Sequence, residues 1–192
     1  MPGAGHGTGF LQVASVSDLA ARIQAIEDRL AIAQLQARYT ILIDNQDLTA
    51  VAPLFAREGR FRSADGVMDA QGRAAICDQY RGRFAALRFG FHVTHDHWIT
   101  LDPVDPDAAT GIVSSHAEVV RNGEPMVTGM RYHDVYRRED GAWRFADRLL
   151  HFFYYLPVAD YAAALPTRER MRAYGDARPA DLPEGIGTWC GE

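Results

Sequence analysis

The chain contains no lysine, two cysteines, and no apolar run near the ~20 residues that a membrane span needs. Each scarcity excludes something. Cys77 and Cys190 are too few and too isolated for a disulfide framework or a cysteine-based metal centre, so a reducing cytoplasm is the expected compartment. All the basic residues other than histidine are arginines, scattered without a run. With a formal net charge of −5, they offer no basic face to a phosphate backbone, and nucleic acid is not an expected partner. The opening MPGAGHGTGF has neither the basic start nor the apolar segment of a signal peptide, and residues 1–16 read as a disordered leader. No internal repeat is visible.

What remains is ordinary globular material. Apolar residues make up 47% and charged residues 23% of 192, enough for one domain with a proper core and not comfortably two. Residues 17–157 carry regular patterns, whereas 158–192 read as an extension with a short helix and an irregular tail.

Ser17-Asp18 is a plausible cap for a long helix whose apolar positions are Leu19, Ile23, Ile26, Leu30, Ala33, Leu35, Tyr39 and Leu42, ending near Asp44-Asn45. Asp47 can cap a second helix through Val51, Leu54 and Phe55, stopping before Gly59. Short strands follow at 60–63 and 67–70, then a third helix from about Arg73 to Leu87. From there the apolar period becomes two, with strands at 89–102, 109–121, 126–138 and 143–156. Asn122-Gly123 and Asp140-Gly141 are strong hairpin signals. Helices first and an antiparallel meander afterwards define an α+β fold.

Five residues could carry chemistry. Asp44 stands at the negative end of the long helix, where a carboxylate is disfavoured and suited to holding a proton; its plainer reading is a solvated helix end. His92 opens the first long strand, and an Asp–His pair makes a tunable general base; with seven histidines in the chain, a packed or surface role is the alternative. His95 and His97 invite a metal reading, with His116, His133 or His151 as third ligand. The glutamate and glycines that accompany such a pair in cupins are missing, so no metal is expected. By alternation, His92, Asp96 and Trp98 cannot share a face with His95 and Ile99 unless a bulge intervenes. Arg148 shares a strand face with Leu150, Phe152 and Tyr154, so it needs a carboxylate such as Asp44, or a substrate oxygen or leaving group; pairing at the sheet rim is the alternative.

The opening Ile26-Glu27-Asp28-Arg29, Ala37-Arg38-Tyr39, Asp44, Asp47-Leu48 and Leu54-Phe55 resembles that of SnoaL-like families of the nuclear-transport-factor-2-like superfamily. So does the ending, Tyr132, Asp134, Tyr136-Arg137-Arg138, Asp140-Gly141-Ala142-Trp143-Arg144 and Arg148. The resemblance spans about residues 19–157. It is strongest to the branch holding hexachlorocyclohexane dehydrochlorinase and bile-acid 7α-dehydratase, with scytalone dehydratase more distant. It implies a cystatin-like cone: a long N-terminal helix and two shorter ones on a curved, mostly antiparallel mixed sheet. It further implies a cofactor-independent lyase of dehydratase or dehydrohalogenase type. His92, oriented by Asp44, would remove a proton, while Tyr39 and Arg148 stabilise or protonate the departing group. Phe55, Phe84, Leu87, Trp98, Val113, Thr128, Tyr132, Leu150, Phe152 and Tyr154 would line the pocket, for a hydrophobic substrate of steroid, terpenoid or aromatic size. Tyr39 replaces the dehydrochlorinase's lysine and the walls are bulkier, so chlorinated substrates are not implied. An isomerase, a metal-dependent enzyme, an epoxide hydrolase needing a third acid beside Asp44 and Arg148, or an assembly domain like the β subunit of a ring-hydroxylating dioxygenase are the other readings. A homodimer or homotrimer is implied, and Phe145, Leu149 and Phe153, opposite the Arg148 face, suit its interface.

Overall fold

The computed structural model describes residues 16–190, so the leader expected over 1–16 lies outside the described residues except for Val16, which opens α1. Helix α1 (Val16–Asp44) contains no glycine or proline, and its buried positions Asp28, Ile32, Leu35, Gln36, Tyr39 and Ile43 recur every three to four residues as one stripe. Ser17 and Asp18 lie within its first turn instead of capping it. The helix ends as Asn45 and Gln46 turn back onto the Ile41 and Ile43 carbonyls, with Gln46 at φ 55°. No described helix is long and apolar enough to cross a membrane.

Asp47 caps α2 (Leu48–Val51) by accepting the Ala50 N–H at 3.0 Å. The helix expected to reach Phe55 instead tightens to a single 3₁₀ turn at Ala52–Leu54, where Pro53 cannot supply an interior N–H. Phe55 already begins β1 (Phe55–Ser63), and its ring packs on Phe145. Gly59 therefore lies within a strand. A side chain there would meet the Phe145 carbonyl at 2.9 Å, so the stretch between Phe55 and Arg60, where the β1–β6 register shifts, requires glycine at this point.

Strand β2 (Asp69–Gln71) and helix α3 (Arg73–Ala86) follow, then β3 (Leu87–Leu101), β4 (Ala108–Arg121), β5 (Glu124–Glu139) and β6 (Ala142–Pro157). The hairpin signals hold: Asn122-Gly123 and Asp140-Gly141 all have positive φ, as a type I′ turn requires. The six strands run in the order β2-β1-β6-β5-β4-β3, antiparallel except for the β1–β6 pair. This is the mixed, mostly antiparallel sheet expected, and α1 crosses it against β3 and β6.

Three register shifts decide which side chains face inward. The first lies between Thr94 and His97 on β3, the second opposite Gly129–Met130 on β6, the third opposite Val135–Tyr136 on β6. Through the third, Phe145 faces the core and is fully buried, so it is not the outer-face residue that strict alternation suggests. Beyond β6, a 3₁₀ turn (Val158–Asp160) and α4 (Tyr161–Ala164) lead into a segment that returns along β6 where β1 has ended, with Met171 bridged to Tyr155.

Candidate active site

The last residue of α1 faces the start of β3, so the carboxylate of Asp44 meets His92. Asp44 Oδ2 accepts the His92 backbone N–H at 2.9 Å, and Asp44 Oδ1 lies 2.6 Å from His92 Nδ1. Because an ionised carboxylate only accepts, this bond places the ring proton on Nδ1 and leaves Nε2 with its lone pair. Both side chains are about one-fifth exposed.

His92 borders a cavity of about 50 Å³ between the sheet and helices α1 and α3. Tyr39 and Ile43 of α1 line it, with Tyr80, Arg83 and Phe84 of α3 and Leu87 beyond. Thr128, Met130, Tyr132, Leu150, Phe152 and Tyr155 close it from the sheet. Six of the residues expected as pocket walls are among those lining it: Phe84, Leu87, Thr128, Tyr132, Leu150 and Phe152.

Four are not. Phe55 and Val113 are fully buried in the core beneath the cavity. The β3 bulge turns Trp98 to the outer face, where it is 71% exposed and borders a separate depression of about 380 Å³. The β6 bulge does the same to Tyr154, which packs against Tyr161, and brings Tyr155 inward in its place. The same β3 bulge separates the two strand histidines: His95 bonds His116 at 2.6 Å in an exposed pair, while His97 turns inward to Tyr136. They cannot jointly hold one ion, and no group of three or more candidate ligands occurs among the described residues.

Arg148 reaches neither Asp44 nor the cavity. It is fully buried behind Tyr39 and Tyr132, with its guanidinium 4.1, 3.9 and 4.2 Å from the ring centroids of Tyr39, Tyr132 and Phe145. Its carboxylate partner is its cross-strand neighbour Asp134, at 3.3 Å, and it also donates to Gln36 Oε1. Tyr136 donates to Asp134 at 2.9 Å and meets His97 Nε2 at 3.0 Å, completing a buried chain from His97 to Arg148. Burial pushes the Asp134 carboxyl up to about 6 against the pull of Arg148. Burial, helped by Arg148, holds His97 down at about 4.

Two polar groups at the cavity escaped sequence reasoning. Tyr80 shares a hydrogen bond between hydroxyls with Tyr39; burial raises the pKa of both phenols, keeping them protonated donors at neutral pH. Arg83 lines the cavity and donates to the Met68 thioether at 2.7 Å, a weak acceptor for a guanidinium with five donors. The signal was the spacing of Ile76, Tyr80, Arg83, Phe84 and Leu87, which places one face of α3 on the sheet.

A long helix laid over a curved mixed sheet is the architecture of the NTF2-like, cystatin-like cones. The SnoaL-like domain family matches residues 24–149, and the chain belongs to that family. Among solved structures it is similar to a type 2 hexachlorocyclohexane dehydrochlorinase, with 17% identity over 71% of this chain and 93% of that one and a TM-score of 0.66. A scytalone dehydratase-like protein from Novosphingobium aromaticivorans shares 21% identity over 71% and 91% of the two chains, with a TM-score of 0.64. An NTF2-like protein with a cystatin-like fold from the same organism shares 28% identity over 81% and 99%, with a TM-score of 0.59. Comparison with curated proteins finds no sequence match.

Proposed function

We propose that the chain is a cofactor-independent lyase of the dehydratase type, with His92 as general base. One observation carries this reading: the Asp44 carboxylate holds both the backbone and the Nδ1 of His92, a residue of the cavity wall, and leaves Nε2 as its basic atom. In a dehydration, Nε2 takes a proton from carbon, that C–H pair becomes the new double bond, and the neighbouring C–O bond breaks. The hydroxyl leaves as water once it receives the proton from His92 or from the Tyr39 phenol. A base so placed contributes roughly 10²–10⁴-fold.

The cation available to developing negative charge is Arg83, because Arg148 is walled off by Tyr39 and Tyr132. Its guanidinium at the cavity wall suits a carbonyl or enolate oxygen beside the carbon that loses its proton. The substrate expectation narrows as well. A cavity of about 50 Å³ is well below the ~150 Å³ that holds a benzene ring. A hydrophobic ring therefore requires wall side chains to move apart. Returning the proton to a different carbon would make the same site an isomerase, which product analysis distinguishes.

The test is a screen of hydroxylated and halogenated ring compounds for elimination, followed by His92→Ala and Asp44→Asn in the active assay. His92→Ala should lose at least 100-fold in kcat with an unchanged melting temperature. A variant that keeps most of its activity removes His92 from the mechanism.

A further inference from the structure

The N-terminal half of α1 has an apolar face that the other described residues do not cover. Val16, Leu19, Ile23, Ile26 and Leu30 are between 47 and 86% exposed, and Ala37 and Ile41 continue the exposed line. From Val16 to Glu27 the helix has no buried residue at all. At about 100° per residue, Leu30 lies some 160° around the helix from Ile32, so this line runs opposite the stripe that packs on the sheet.

Spacing and charge identify what covers it. The positions 16, 19, 23, 26, 30, 33 and 37 alternate steps of three and four, the heptad pattern of a coiled-coil seam. At the N-terminal end Val16 and Ile23 occupy a positions and Leu19 a d position, the combination that favours two strands, whereas Ile26 at d and Leu30 at a further along depart from it. Beside the seam, Arg22 falls at g and Glu27 at the following e, and both are exposed. In a parallel pair each Arg22 meets the other copy's Glu27, in both directions. In an antiparallel pair the g positions would set Arg22 against Arg29.

We infer that two copies of this chain associate through α1 as a parallel coiled coil along the Val16–Ala37 face, with the two domains on its outer sides. The interface lies on α1, not on the open face of the sheet. A twelve-residue helical arm with one apolar face is marginal in water by itself, and the second copy supplies its missing partner.

The full chain is examined by sedimentation velocity and by light scattering after gel filtration, over a concentration series. The expected result is a dimer for the wild type. Ile23→Glu with Leu30→Glu should raise the dissociation constant by at least about 100-fold while leaving the thermal transition of the monomer cooperative. Arg22→Glu and Glu27→Arg should each weaken association, and the double exchange should restore it. A monomeric wild type overturns the inference. So does a dimer insensitive to the glutamate pair, which would place the interface elsewhere. An Arg22→Glu variant that associates more tightly than wild type overturns the parallel arrangement.

Discussion

Replacing Arg170 by methionine tests whether the segment after β6 is an appendage or part of the domain. Arg170 is 7% exposed, and its guanidinium ties three stretches of chain together. Nε donates to the Phe153 carbonyl at 2.9 Å, Nη1 to the Thr167 carbonyl, and Nη2 to the Leu182 carbonyl at 2.8 Å and Glu184 at 2.6 Å. Around it, Tyr155 and the extension exchange backbone bonds: the Tyr155 N–H donates to the Arg170 carbonyl, and the Arg172 N–H to the Tyr155 carbonyl. The Leu182 N–H reaches Phe152 O, and Asp181 accepts the Phe152 N–H. Methionine fills similar volume but leaves three carbonyls without their donor, at ~1–3 kcal/mol each before water reaches any of them. A total of about 3–5 kcal/mol follows. In a chain of this length that lowers the melting temperature by about 6–20 °C. Arg172→Met is the control, because its bond to Asp160 joins two partly exposed side chains and is worth less than ~1 kcal/mol. Thermal and urea denaturation measure both. An Arg170→Met protein within ~1 kcal/mol of wild type, or no worse than Arg172→Met, would refute the claim that the extension completes the sheet.

Three further outcomes are expected. His97 is held at about 4, below its usual 6.5, so the unfolded chain takes up its proton first as pH falls. Stability from this group is whole above about 6.5 and is lost as pH drops toward 4. The full shift corresponds to ~3 kcal/mol, screened to about 1–2 by its partial exposure. His97→Asn should flatten that slope in urea titrations between pH 7 and 4.5, and equal slopes in the two proteins would contradict it. Tyr80→Phe removes the partner of the Tyr39 hydroxyl and should cost ~1–3 kcal/mol. The Tyr39→Phe/Tyr80→Phe pair should cost less than the sum of the singles, and strict additivity would count against the bond. Trp98→Ala, on the outer face, should change stability by less than ~0.5 kcal/mol and leave turnover intact; an activity loss would return Trp98 to the site.

The elements were legible because their signals are local. Apolar period located α1, α3 and the four long strands, and the Asn-Gly and Asp-Gly pairs marked two hairpins. The meeting of Asp44 with His92 was also anticipated, though through resemblance as much as through pattern. What could not be read is which face each strand residue takes once a ladder slips. Counting by twos put Trp98 and Tyr154 inside and Phe145 outside, and one bulge apiece reversed each of them. The apolar line Leu19–Leu30 has the same helical spacing as core-facing residues, and only the structure shows that it faces away from the sheet. Arg170 carries no periodic signal, since its partners are carbonyls supplied by chain far from it in sequence.

Arg148 shows how a correct physical premise can lead to the wrong contact. An arginine among apolar neighbours does need an acid, but the acid is Asp134, set opposite it by the β5–β6 register, and register is invisible before the sheet is assembled. Its placement still bears on the proposed chemistry. The guanidinium lies 4.1 Å from the Tyr39 ring on the side away from the cavity, and its charge lowers the cost of ionising a phenol that burial otherwise keeps protonated. In the proposed elimination, Arg148 is then a positioning and tuning group that acts through Tyr39, while Arg83 meets the substrate. Replacing Arg148 would leave Asp134 buried without its cation, so its loss should appear first in stability and only through Tyr39 in catalysis.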